Sequence, residues 1–173
     1  MAWDSTLRII EKKSEQEIAH IVMTKFQCGD TKDSIKYTLG GLYVRPTVSY
    51  VSKDALRLIM AKNPAVVEKG AGVCYRKLKV EAMGVTREHI IPVRELYEHF
   101  KELFENSKLT ERYILKFMKK LHIAVISDEE NNAFSKAHLA RKMPKGWWST
   151  KDLDPLARYR AAGLDDSIWA KFN

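Results

Sequence analysis

Two short β-rich runs, each carrying polar residues that can bind a metal or move a proton, constrain the fold more than any other feature of this sequence. The first run, Val85 to Pro92, contains Glu88 followed directly by His89. The second begins at His122 and is predicted to be a strand over Ile123 to Ile126. Successive side chains of a strand point to opposite faces, so Glu88 and His89 are predicted to point in different directions.

A helix is predicted directly after the second run. Ser127 is followed three residues later by Glu130, which is the capping-box spacing that starts a helix. Asn131 then falls in the first turns of that helix. The helix is predicted to continue past Leu139, so that His138, seven residues beyond Asn131, would lie on the same face about two turns away.

The two runs are separated by an insert, residues 93–121, that is predicted to form two helices. The simplest arrangement is an antiparallel pair packed over the two strands. The apolar residues that define the two helical faces are Leu96, Phe100, Leu103 and Phe104, then Leu109, Tyr113, Leu115, Phe117 and Met118.

At Glu88, His89, His122 and Asn131 the sequence resembles the HNH, or ββα-metal, family of nucleases. In that family an acidic residue followed by His lies on the first strand, an Asn or His opens the second strand, and an Asn or His on the following helix binds the metal. The resemblance implies that Glu88 is a metal ligand and His89 the general base. It also implies that His122 starts the second strand and that Asn131 is the ligand on the helix. We count His122 with His89 among the catalytic residues and expect its side chain to brace the strand that carries His89. Glu88 stands where Asp is commoner, and the insert replaces a short loop.

This assignment implies hydrolysis of DNA phosphodiester bonds, with RNA as an open alternative. Neutral His89 would accept a proton from the attacking water. The oxygen ligands Glu88 and Asn131 suit Mg²⁺ or Mn²⁺, which would stabilise the leaving oxygen as a Lewis acid. His138 is a candidate for a second ligand or a phosphate contact, with a plain helix residue as its alternative. For His89 the alternative is a structural core histidine beside an exposed Glu88.

The charge of the chain indicates an anionic partner. The formal net charge is +8 and the pI is about 9.4, which favours nucleic acid as the partner. No run of about 18 apolar residues predicts a membrane span, and Met1 to Lys13 lacks the apolar stretch of a signal peptide, so we expect a cytoplasmic protein. The candidate nucleic-acid contacts are Arg76, Lys77, Lys79, Arg87, Arg141, Lys142, Arg158 and Arg160.

We therefore expect one α+β domain built around a ββα-metal nuclease core with a helical insert between its strands. Residues 1–84 form a helix and strand part, residues 85–143 the core with its insert, and residues 144–173 a Trp-rich tail that docks on the domain or on a partner. Two alternatives stay open. One is a non-catalytic basic protein that binds nucleic acid, and the other is an interaction factor whose tail binds a partner.

Overall fold

The computed structural model describes residues 14–41, 47–48, 50–68, 72–74, 80 and 83–171. The fold is α+β, as predicted. The helices of the described residues are α1 (Glu15–Gln27), α2 (Lys32–Gly41), α3 (Lys53–Lys62), α4 (Val93–Glu105), α5 (Glu111–Met118), α6 (Asp128–Lys136) and α7 (Ala157–Ala161). The strands are β1 (Thr47–Val48), β2 (Tyr50–Val51), β3 (Val67–Glu68), β4 (Gly72–Cys74), β5 (Val85–His89) and β6 (Ile123–Ser127).

The chain divides into two compact units, where the sequence predicted one domain in three consecutive parts. The first unit takes its described residues from 1–44 and 91–121, and the second from 45–90 and 122–173. The predicted boundaries near residues 84 and 143 are therefore not unit boundaries. The insert leaves the second unit at the end of β5 and returns to it at the start of β6.

The first unit is a set of four helices. The predicted capping box at the start of α1 is present, with Ser14 and Glu17 each accepting a hydrogen bond from the other's backbone. Helix α1 packs against α5, and α2 packs against α4 and α1. The prediction of two helices in the insert is confirmed. We expected them to cover the strands, but their apolar faces find their partners in the N-terminal helices.

The second unit contains a mixed sheet in the order β2–β6–β5. Strands β5 and β6 pair antiparallel, as expected for the two strands of the predicted core, and Val85 lies opposite Ser127 and His89 opposite Ile123. Strand β2 adds a parallel neighbour on the other side of β6. A second sheet, in the order β1–β4–β3, is antiparallel throughout.

Each face of the mixed sheet packs against different elements. Val85, Val125 and Val51 join a buried cluster with Ala55 and Ile59 of α3. The strand register puts the alternate residues of β5, β6 and β2 on the opposite face. Helix α6 packs against β5 and β6. Its predicted capping box is present, with Ser127 and Glu130 as the two partners.

Helix α6 is shorter than predicted. It ends at Lys136, and His138 lies beyond it in the left-handed region with φ 57°. The argument that placed His138 on one helical face with Asn131 was therefore wrong, because the residues between them do not all belong to the helix.

The Trp-rich tail packs on the rest of the second unit. Docking on the domain was one of the two outcomes predicted from the sequence. Trp169 forms a β-bridge with Ser52, and the Ala170 amide donates to the Val51 carbonyl at 2.8 Å. Trp147 is buried, and its indole N–H donates to the Asp154 carbonyl at 2.7 Å. Across the parts of the chain that the structure describes, no helix combines the length and apolar character needed to cross a bilayer.

Several sequence predictions fall outside the described residues. They concern Thr6 to Ile10, whose sequence predicts a short strand, the run Leu42 to Val44, which is predicted to pair with a strand over Pro46 to Val51, and the candidate nucleic-acid contacts Arg76, Lys77 and Lys79.

Candidate functional site

The candidate site is centred on Glu88, near the end of β5. Its Oε1 accepts a hydrogen bond from Arg158 Nη2 at 2.6 Å, and its side chain is 20% exposed. In the described part of the chain, Glu88 Oε2 has no hydrogen-bond partner. One carboxylate oxygen is thus held by a fixed cation, and the other is available to a ligand.

Arg158, in the short helix α7, is fully buried. The Nη2 atom that contacts Glu88 also donates to the His89 carbonyl at 3.0 Å, and Nη1 lies 3.5 Å from the Leu139 carbonyl. The guanidinium carbon lies 4.3 Å from the centre of the Phe134 ring. The prediction that Arg158 contacts nucleic acid was wrong, because a side chain with no exposure and an internal carboxylate partner does not reach a ligand in solvent.

His89 follows Glu88 on the strand and is directed to the opposite sheet face by strand alternation. Burial, together with the smaller effects of the positive charges of Arg158 and Arg87, lowers the pKa of His89 to about 4. Because each of these effects disfavours the imidazolium, His89 is neutral at pH 7. The ring therefore holds an acceptor nitrogen at physiological pH, as a general base requires.

Asn131 is half-buried near the start of α6. It lies three positions before buried Phe134, so the two side chains share one helical face. Phe134 packs on the guanidinium that binds Glu88. Asn131 is therefore on the side of α6 that faces the Glu88 face of the sheet.

His122, just before β6, is on the same sheet face as Glu88 by register. Its carbonyl accepts the Ile90 amide at 3.0 Å, which continues the β5–β6 ladder. Its ring lies 5.3 Å from that of Tyr50, and Tyr50 lies 5.6 Å from Trp169. These contacts suit a residue that holds the start of β6 in place, which is one of the roles expected from the sequence.

The donor set for a divalent metal is small. Among the residues that the structure describes, no group of three or more His, Cys, Asp and Glu side chains is arranged to hold a metal ion. The oxygens of Glu88 and Asn131 are hard ligands, and Mg²⁺ is commonly held by one or two carboxylates together with waters and substrate phosphates. The chemistry of this donor set therefore fits Mg²⁺ or Mn²⁺ bound jointly with substrate.

Two of the three acidic residues in the first turn of α6 are already engaged. Glu130 accepts the Ser127 amide at 2.8 Å and the Ser52 hydroxyl, and Asp128 accepts the Thr86 hydroxyl at 2.7 Å. They brace the junction between β5, α3 and α6.

The remaining predicted contacts are on the surface. Arg87, Arg141, Lys142 and His138 are exposed. Arg160 is exposed but forms ion pairs with Asp154 and Asp166, the latter at 2.7 Å. These charges are accessible to an anionic partner, although Arg160 would have to exchange its carboxylate partners.

A basic row that runs along α5 to Lys119, just after the helix ends, was not among the contacts predicted from the sequence. Arg112, Lys116 and Lys119 are exposed, line a groove of about 460 Å³ with Leu115, and have no ion-pair partner among the described residues. Their spacing of four and three residues puts them on one helical face. The same spacing is present in the sequence of the second predicted insert helix, between the apolar positions.

Comparisons of the chain with protein-family profiles, with curated proteins and with solved structures find no match.

Proposed function

We propose that this protein is a metal-dependent endonuclease that hydrolyses DNA phosphodiester bonds. The observation that carries the proposal is that a neutral histidine, His89, directly follows Glu88, a carboxylate held by Arg158. Both are on an antiparallel strand pair that leads directly into the helix carrying Asn131. This arrangement accounts for a base and two oxygen ligands with residues from two adjacent elements, β5 and α6.

In the proposed reaction, His89 accepts the proton of the attacking water. Glu88, through Oε2, and Asn131 would hold Mg²⁺ or Mn²⁺. When bound, the metal supplies Lewis-acid stabilisation of the leaving oxygen. The ring of His122, packed on Tyr50, keeps the start of β6 in register with the strand that bears His89.

The proposal is tested by incubating the purified protein with supercoiled plasmid in Mg²⁺, Mn²⁺, Co²⁺ or Ni²⁺. We expect nicked and then linear DNA with at least one of these metals, and complete inhibition by a chelator. A folded protein that leaves several plasmids and a linear duplex intact in all four metals would contradict the proposal.

A second candidate function is non-catalytic binding of nucleic acid. The observation that favours it is the basic row Arg112, Lys116 and Lys119, in which no side chain has an ion-pair partner among the described residues. The row is about 10 Å long along the helix. This length matches the distance spanned by a few successive phosphates of one DNA strand, which are about 3.4 Å apart along the duplex axis. In the plasmid experiment this function appears as a salt-sensitive mobility shift that a chelator leaves unchanged, with no nicking.

A further inference from the structure

We propose that Arg158 is a positioning residue for the candidate nuclease site, so that the C-terminal tail completes a site built mainly by β5 and α6. This inference rests on the proposed function. It extends that function because the proposed reaction uses Arg158 neither as a metal ligand nor as the base, and the sequence predicted it only as a surface contact.

A single atom of Arg158 fixes both proposed reacting residues. Nη2 donates to Glu88 Oε1 at 2.6 Å and to the His89 carbonyl at 3.0 Å. The first bond sets the carboxylate so that Oε2 is the oxygen left for a metal. The second holds the backbone of the residue that carries the base, at the last position of β5.

The same guanidinium also contacts the segment that carries Asn131. Its face lies 4.3 Å from the centre of the Phe134 ring, and Nη1 is within 3.5 Å of the Leu139 carbonyl just after α6. Arg158 therefore touches both the strand with Glu88 and the helix with Asn131. Any change in its position alters the relative placement of the two proposed ligands.

Stability alone is a poor explanation for this buried pair. Replacing a buried ion pair by apolar groups of similar volume is often neutral or stabilising. Arg158 is the one charged side chain that is buried in the described part of the chain, and its Nε has no hydrogen-bond partner there. A cation that is desolvated and incompletely paired is better explained by the geometry that it imposes on Glu88.

The experiment compares full-length wild-type protein with Arg158→Lys, which keeps the charge but loses the planar fork. Two quantities are measured at a temperature well below each melting point: the Mn²⁺ concentration that gives half-maximal cleavage, and Mn²⁺ binding to the protein–DNA complex by electron paramagnetic resonance. We expect both half-saturation concentrations to rise about 10–100-fold, the usual effect of losing a partner that orients a metal ligand.

Arg57→Lys is the matched control, because Arg57 is an exposed arginine of α3 in the same unit, paired with Asp54. It should leave both concentrations unchanged. Phe134→Leu is a second test that keeps the ion pair but removes the ring beneath the guanidinium, and it should raise the Mn²⁺ requirement by a smaller factor.

The outcomes are distinguishable. If Arg158→Lys lowers only the melting temperature and leaves both Mn²⁺ concentrations at the wild-type values, Arg158 is purely structural and the inference is overturned. If Arg158→Lys does not fold, the same result for Phe134→Leu overturns the inference. If wild-type protein neither cleaves DNA nor binds Mn²⁺ in the complex, the proposed function fails and this inference fails with it.

Discussion

Replacing His89 by alanine is expected to lower the rate of DNA cleavage about 10²–10⁴-fold, the usual contribution of a general base. DNA binding without metal should stay near the wild-type level, because loss of the base affects the transition state more than the ground state. The measurement is the single-turnover cleavage rate at saturating metal, with a thermal melt and a binding curve for the same protein sample.

Variants of the other site residues provide the comparison for His89→Ala. Asn131→Ala should weaken metal binding, so that cleavage needs a higher metal concentration and part of the activity returns at high Mn²⁺. His122→Ala should show its loss partly as lower stability, because the ring packs on Tyr50. A stable His89→Ala protein that cleaves at the wild-type rate would remove His89 from the mechanism. A parallel fall in melting temperature and activity would make it a structural histidine.

Acidification is expected to destabilise the protein through His89. Its pKa is about 4 in the folded chain and about 6.5 in an unfolded one, so the unfolded state binds more protons between these values. Stability from this group is fully present above pH 6.5 and is lost as the pH falls towards 4. The expected loss between pH 7.5 and 4.5 is roughly 2.5 kcal/mol in the free energy of unfolding.

Urea unfolding at several pH values tests this expectation when wild-type protein is compared with His89→Asn, which cannot titrate. The difference between the two isolates His89 from other groups with lowered pKa values, such as partly buried His99, whose shift has the same sign and cause. Wild-type protein should lose more stability than the variant on acidification. Equal losses in the two proteins would mean that His89 is not buried in its neutral form.

The local parts of the fold could be predicted from the sequence because their signals lie within a few residues. Ser127 and Glu130 are three residues apart, and their capping box fixed the start of α6 correctly. The end of α6 was misjudged because the apolar spacing through Leu139 continues a helical pattern, whereas His138 leaves the helical conformation without a glycine to signal it.

The contacts between distant segments could not be predicted in this way. Arg158 and Glu88 are 70 residues apart, and nothing near either residue indicates that an arginine in the tail would be buried against a strand. A charged residue is exposed in most proteins, so the surface interpretation was the natural one. The partners of the insert helices were missed for the same reason, because an apolar helical face does not specify what covers it.

The central claim is that Glu88 and Asn131 hold a divalent metal near the end of β5. It is tested most directly by the anomalous signal of Mn²⁺ in crystals of the His89→Ala protein bound to a DNA duplex. We predict a peak within about 2.0–2.6 Å of Glu88 Oε2 and the Asn131 side-chain oxygen, with the Arg158 bond to Oε1 retained. A DNA complex with Mn²⁺ bound elsewhere, and with neither of these oxygens coordinated, would contradict the claim.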